Sequence, residues 1–200
     1  MNELKKSRMA NTFKYTWPTY VVVGLCAFGS MSFIFRTVHP TPAYKTLTLF
    51  VTGKVNDDKK LKEDILDKYQ DNQLKVFSCI SSSLTDGEYH TKLTVAGYAS
   101  ADILILPVSV VENLDIGSIA IDLKDELVTA YYASCSLYSQ ESVNYGVKID
   151  KEKVEQYMTL PDEDCYMFLN GNSKNLGEYS LREPDKEHNN ALNVVKDWGM

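Results

Sequence analysis

Small polar residues follow three predicted strands at the points where those strands end. They lie in Thr52–Lys54, Ser81–Ser83 and Pro107–Ser109. In a doubly wound sheet, ligands bind beyond the carboxyl ends of the strands, and hydroxyls and backbone N–H groups beside a helix N-terminus can hold an anion. The alternative is that the same serines cap the helices that follow. The candidate ligand-binding residues are Thr52, Gly53, Lys54, Ser82, Pro107 and Ser109.

The remaining polar patterns do not favour catalysis or a resident metal. His39, His90 and His188 are scattered and form no HExxH pair. The acidic run Asp162–Asp164 could hold Ca²⁺, but no EF-hand spacing follows it, which favours a solvated turn. The chain contains no GxSxG, GxxxxGK[ST] or GxGxxG motif. We therefore expect a protein that is not an enzyme, with no catalytic residues, no metal and no cofactor.

Four cysteines are too few for a disulfide-dense scaffold, and their spacing is not that of zinc ligands. Cys79 lies in an apolar stretch, which favours a buried thiol. Cys135 and Cys165 flank predicted strands and could form a bridge. Three free thiols in the domain are the alternative.

Strand and helix patterns alternate after residue 45 and would position the polar strand ends. Thr46–Thr52 is β-branched and apolar, which predicts a strand, and Asn56 and Asp57 can cap the next helix. Ala101–Leu106 is an apolar run, interrupted by one Asp and stopped by Pro107, as in a strand buried on both faces of a parallel sheet. The other predicted strands are Leu74–Ile80, Cys135–Tyr138, Val143–Ile149 and Cys165–Leu169, with helices beginning near Tyr89, Asp122 and Asn189. The pattern predicts an α/β fold with a small doubly wound mixed sheet.

An uncharged apolar run of 19 residues, Trp17–Phe35, precedes this domain. As a helix it would span about 28 Å at ~1.5 Å per residue, close to the ~30 Å of a bilayer core. Trp17 and Tyr20 lie at one end, where interfacial aromatic residues belong. The run predicts a single transmembrane helix that contacts the lipid bilayer through residues 17–35.

Charge is distributed unevenly on either side of this run. Residues 1–36 carry a net charge of +4 and the remainder carries −10, with a pI near 5.1 for the whole chain. The acidic balance argues against nucleic acid as a partner, and the positive-inside rule places the N-terminus in the cytoplasm. The expected organisation is a cytoplasmic basic tail (1–16), a transmembrane helix (17–35), a tether (36–44) and an extracellular α/β domain (45–200).

Three other interpretations of the apolar run remain open. A cleaved signal peptide would use small residues around Ala27–Gly29, although apolar sequence continues beyond them. A lipoprotein signal would use Cys26, although Leu25 precedes it where a small residue belongs. A buried core helix would leave the basic flank unexplained.

Several segments of the domain resemble extracellular solute-binding proteins of ABC importers. Tyr89–Pro107 is similar to a helix that leads into an "Ala-Asp-Ile/Val" buried strand, and Val143–Ile149 resembles the "Tyr-Gly-Ile/Leu-Pro" strand that follows it. Tyr166–Asn170 resembles a strand near the hinge, and Asn189–Trp198 resembles a helix packed on the same lobe. The resemblance covers roughly residues 45 to 198 and implies one lobe of a type II periplasmic-binding-protein fold.

The chain departs from that family in length. Its members have two lobes that close around a solute, whereas about 155 residues are available here. The resemblance implies a membrane-anchored, solute-binding-like accessory protein, associated with an ABC permease or another membrane protein, whose solute the sequence does not identify. The alternative is an extracytoplasmic structural or sensory interaction domain without a small-molecule ligand.

Overall fold

The computed structural model describes residues 17–32, 41–181 and 187–199. The chain divides into two compact units, Met1–Thr41 and Pro42–Met200. In the first unit, residues 17–32 form helix α1, and each of these residues is exposed. No helix within the described ranges is long and apolar enough to cross a membrane. The predicted tail 1–16, residues 33–35 of the predicted span and residues 36–40 of the predicted tether lie outside the described residues.

The second unit is a mixed α/β domain. Its strands are β1 (Thr46–Thr52), β2 (Lys54–Val55), β3 (Val76–Ser82), β4 (Ile103–Pro107), β5 (Leu137–Gln140), β6 (Val143–Lys148), β7 (Met158–Thr159) and β8 (Cys165–Leu169). Its α-helices are α2 (Asp58–Lys68), α3 (Tyr89–Lys92), α4 (Val108–Val111), α5 (Asp125–Leu127), α6 (Lys151–Val154) and α7 (Asn190–Gly199). Two π-helical segments, Leu93–Tyr98 and Val128–Tyr132, continue α3 and α5, and four short 3-10 helices lie at Ala43–Lys45, Gln70–Asn72, Ile116–Ser118 and Gly177–Tyr179.

Six of the strands form one sheet in the order β3-β1-β4-β8-β6-β5. β1 lies parallel to both β3 and β4, whereas β8 runs antiparallel to β4 and to β6. The predicted β-α-β-α-β start of the domain is therefore confirmed. Its first strand, β1, lies between β3 and β4. The antiparallel strands make the sheet mixed, as the sequence predicted.

The sheet separates two apolar clusters because alternate residues of a strand point to opposite faces. One face carries Leu47, Leu49 and Val51 of β1 under α2 and α7. The other carries Phe50, together with residues of the helix that begins at Tyr89. In α2 the carboxylate of Asp57 accepts a hydrogen bond from the Lys60 backbone N–H (2.9 Å), which is the predicted cap. The closing helix α7 buries Ala191, Leu192, Val194, Val195 and Trp198.

Some boundaries differ from those the sequence predicted. Leu74 packs in the core, but β3 begins only at Val76, because its partner β1 begins at the paired residue Thr46. The helix expected from Asp122 begins at Asp125. The short elements β2, β7, α4 and α6 were not predicted.

Candidate functional site

The polar strand ends do meet at one edge of the sheet. Thr52 is paired with Ser82 at the ends of β1 and β3, and Pro107 ends β4 on the same side. Because β8 is antiparallel to β4, its first residue, Cys165, pairs with Pro107. The last residue of β6, Lys148, also lies at this edge, since it pairs with Tyr166. We call this side of the sheet the carboxyl edge.

Thr52 is fully buried at the carboxyl edge and already has a partner. Its hydroxyl forms a 2.8 Å hydrogen bond with the phenol of Tyr89, which is also buried. Burial raises the pKa of Tyr89, although its hydrogen bond with Thr52 opposes that shift. The hydroxyl pair therefore stays neutral and joins β1 to α3.

The end of β3 holds a carboxylate of the chain itself. The hydroxyl of Ser82 and the backbone N–H of Ser83 each donate to Asp86 Oδ2 at 3.0 Å. These two donors lower the pKa of Asp86, the Ser83 N–H being the larger cause. The anion-binding donors expected from the sequence are thus present at the end of β3. They bind the exposed carboxylate of Asp86, four residues after Ser82.

The end of β4 has the same arrangement. Glu163 accepts hydrogen bonds from the Ser109 backbone N–H (2.9 Å) and from the Ser109 hydroxyl (2.7 Å), one on each carboxylate oxygen. Asp164 adds a backbone contact, since its carbonyl accepts from the Val108 N–H at 2.9 Å. The acidic run that the sequence favoured as a solvated turn therefore caps the start of α4.

Gly53 and Lys54 are covered by a second small sheet. Lys54 and Val55 form β2, which pairs with β7 so that Lys54 lies opposite Thr159. The backbone of β7 approaches Gly53 so closely that a Cβ at that position would lie 2.5 Å from the Thr159 carbonyl oxygen. Glycine is required there by this approach.

Residues 156–164, here called the edge segment, connect these contacts along the carboxyl edge. Besides Glu163 at β4, the backbone carbonyl of Tyr157 accepts from the Asn56 N–H (2.8 Å) next to β2. Lys151 donates to the carbonyl of Pro161 (2.5 Å), and Lys148 forms an ion pair with Asp164 (2.8 Å). The edge segment therefore contacts the ends of β1, β4 and β6.

A groove of about 480 Å³ remains beside the edge segment. It is lined by charged groups that include Lys148, Lys151, Asp150 and Asp164, with Cys165 among the other lining residues. The hydrogen bond to Asp164 raises the pKa of Lys148, and Asp150 caps α6 by accepting from the Glu152 N–H (3.1 Å). Lys148 and Asp164 therefore pair with each other, while Lys151 and Asp150 bind backbone groups of the chain.

A buried polar cluster that the sequence did not reveal lies at the opposite edge. Asp102 precedes β4 and is only 9% exposed. Its Oδ2 accepts from the Thr48 backbone N–H at 2.7 Å, and its Oδ1 accepts from the Ser173 hydroxyl and from Asn175 Nδ2 (3.2 Å). Burial raises the pKa of Asp102, and the three hydrogen bonds oppose that shift. The cluster joins β1, β4 and the loop before α7, which is a structural role.

Possible metal ligands and the cysteines were the other chemical candidates in the sequence. Within residues 17–32, 41–181 and 187–199, no three His, Cys, Asp or Glu side chains are grouped so as to hold a metal ion. The four cysteines are free thiols, including Cys135 and Cys165, which the sequence left as a possible bridge. Burial raises the pKa of Cys165 to about 11, so its thiol is protonated and unreactive at neutral pH.

Comparison with known proteins gives weak structural similarity. No family model and no curated protein matches the chain. The N-glycan transport solute binding protein of Streptococcus pneumoniae is 15% identical, with a TM-score of 0.36, over 52% of this chain and 24% of that one. An ABC substrate-binding protein of Listeria monocytogenes is 12% identical, with a TM-score of 0.33, over 56% of this chain and 32% of that one. The chain spans a third or less of either protein, and at these TM-scores the likeness decides neither its fold nor a ligand.

Proposed function

We propose that this chain is a membrane-anchored accessory domain that acts by contacting another membrane protein rather than by enclosing a solute. The observation that carries the proposal is the edge segment. It lies along the carboxyl edge, where a doubly wound sheet would bind a ligand, and its Glu163 occupies the donors at the end of β4, as Asp86 does at the end of β3.

Solute binding at the carboxyl edge would have to displace these internal contacts. Each charge-assisted hydrogen bond is worth about 1.5–3 kcal/mol where water is excluded, and less at this exposed edge. Small-molecule sites usually bury ~70–90% of a ligand's surface, and a single lobe supplies only one wall. A solute would therefore exchange the internal contacts of Ser82 and Ser109 for a half-exposed position, which gives little net affinity.

Anchoring is supported by the character of α1. All 16 residues are exposed and uncharged, and apolar side chains such as Val22, Leu25 and Phe28 are more than half exposed. A helix that is apolar and exposed on every face is suited to lipid on all sides. We propose that residues 17–35 anchor the chain in the bacterial cell membrane, with the basic tail in the cytoplasm and the domain outside.

An ABC permease is the partner that the family resemblance favours, and another membrane protein is equally compatible with the geometry. The anchor would hold the domain near any membrane partner, which raises their effective concentration without new contacts. Chemical cross-linking in intact membranes, followed by purification of the full-length chain, tests this directly. We expect one dominant partner to be captured, and a variant with a foreign anchor in place of residues 17–35 distinguishes a helix contact from a domain contact. Failure to cross-link any membrane protein would overturn the proposal.

A second candidate function is that of a solute receptor using the groove beside the edge segment. The groove volume of about 480 Å³ favours it, because that is large enough for a small solute. Thermal-shift measurements with sugars, amino acids and peptides separate the two functions. A shift that saturates at micromolar solute would contradict the partner-only function, whereas we expect no shift.

A further inference from the structure

The two edges of the main sheet differ in how they are protected. β3 forms one edge, and among the residues that the structure describes no strand lies on its outer side. It is seven residues long, and no charged residue, proline or glycine occurs from Val76 to Ser82. Natural proteins usually guard such an edge with charges, proline or bulges, because the free backbone groups can pair with another strand. Val76 is 40% exposed, and Ser78 is also exposed.

The opposite edge, β5, carries the protection that β3 lacks. It has only four residues, and its pairing with β6 is interrupted by a bulge between Tyr138 and Ser139. The side chain of Gln140 is bound to the Leu114 carbonyl at 3.2 Å, which holds a loop against that edge. This difference between the two edges indicates that the free backbone groups of β3 are available to pair with another strand.

We propose that β3 is a self-association edge at which two copies of this chain pair antiparallel, with Cys79 at the centre. A two-fold axis at Cys79 pairs all seven residues of each strand and joins the two sheets into one. Like charges opposite each other destabilise a strand pair, so an uncharged strand suits pairing with itself. Such a contact is isologous and closes as a dimer.

The charges that flank β3 favour a second copy in the antiparallel orientation. Lys75 precedes the strand, and in this pairing it lies opposite Ser83 of the other copy. The Ser83 backbone N–H holds the carboxylate of Asp86 at 3.0 Å, so each exposed lysine faces a fixed carboxylate. A parallel pair would instead bring the two lysines together and the two carboxylates together.

The test is sedimentation velocity of the full-length chain in a mild detergent over a range of concentrations. The variant Ser78→Lys places a charge in the middle of the exposed strand, and Ser139→Lys is the matched control on the opposite edge, where the serine is also exposed. We expect a monomer–dimer equilibrium in which Ser78→Lys raises the dissociation constant about tenfold or more, while Ser139→Lys leaves it unchanged. Unaltered far-UV circular dichroism and melting temperature would show that both variants fold.

Amide hydrogen exchange supplies a second measurement that needs no variant. Amides in residues 76–82 should exchange more slowly as protein concentration rises, while those in residues 137–140 should not respond. A chain that stays monomeric at all concentrations overturns the proposal, and so does an equally strong dimer of Ser78→Lys, which would place the contact elsewhere, for example in α1.

Discussion

Replacement of Asp102 by asparagine should destabilise the domain by about 3 kcal/mol. The carboxylate receives hydrogen bonds from three donors, the backbone N–H of Thr48 and the side chains of Ser173 and Asn175. An amide has one acceptor oxygen, so if that oxygen serves Ser173 and Asn175, its NH₂ group faces the N–H of Thr48. One buried donor is then left without a partner, at about 1–3 kcal/mol, and two charge-assisted bonds become neutral ones.

Thermal unfolding of residues 42–200 is a suitable assay, because this part of the chain is one compact unit. For a domain of this size, a loss of about 3 kcal/mol corresponds to a decrease of roughly 6–12 °C in melting temperature. Asp122→Asn is the matched control, since Asp122 is exposed and should change stability by no more than about 0.5 kcal/mol. If Asp102→Asn melts within about 2 °C of the wild type, the three donors do not depend on this carboxylate and the reasoning is wrong.

Three further predictions concern pH, the edge segment and the core. Because burial raises the pKa of Asp102 in the folded state, the wild type loses stability as pH rises from the ordinary aspartate pKa of about 4 through the folded value. In denaturant titrations, the difference in unfolding free energy between wild type and Asp102→Asn should therefore be larger near pH 4 than the value of about 3 kcal/mol expected for the ionised carboxylate, and should narrow toward that value as pH rises. Gly53→Ala, whose Cβ would lie 2.5 Å from the Thr159 carbonyl oxygen, should cost about 1–3 kcal/mol and speed amide exchange in residues 157–160. Gly87→Ala, with no atom within 4 Å of the new Cβ, should do neither. Leu192→Ala in α7, where the side chain is 1% exposed, should cost about 2–5 kcal/mol in the same thermal assay, and an unchanged melt would show that α7 is not part of the core.

The central strands could be predicted because their signals are local. β1 and β4 are continuous apolar or β-branched runs, and α7 has a clear helical apolar pattern that ends in Trp198. The pairing of β2 with β7 could not be predicted, since two residues carry no usable periodicity and the partners are more than 100 positions apart. Asp102 was visible as a polar residue before a buried strand, but its partners Ser173 and Asn175 lie more than 70 residues away.

The carboxyl edge shows why a donor pattern alone cannot identify a ligand. Ser82 and Ser109 stand where hydroxyls and free backbone N–H groups attract negative charge, and the expected chemistry is present at both. At β3 the carboxylate comes from Asp86, four residues after Ser82, which is a local capping turn. At β4 it comes from Glu163, 54 residues after Ser109, and only the path of the edge segment brings it there. The carboxylate at β3 is therefore set by local sequence, whereas the identity of the carboxylate at β4 depends on tertiary structure and not on Ser109 itself.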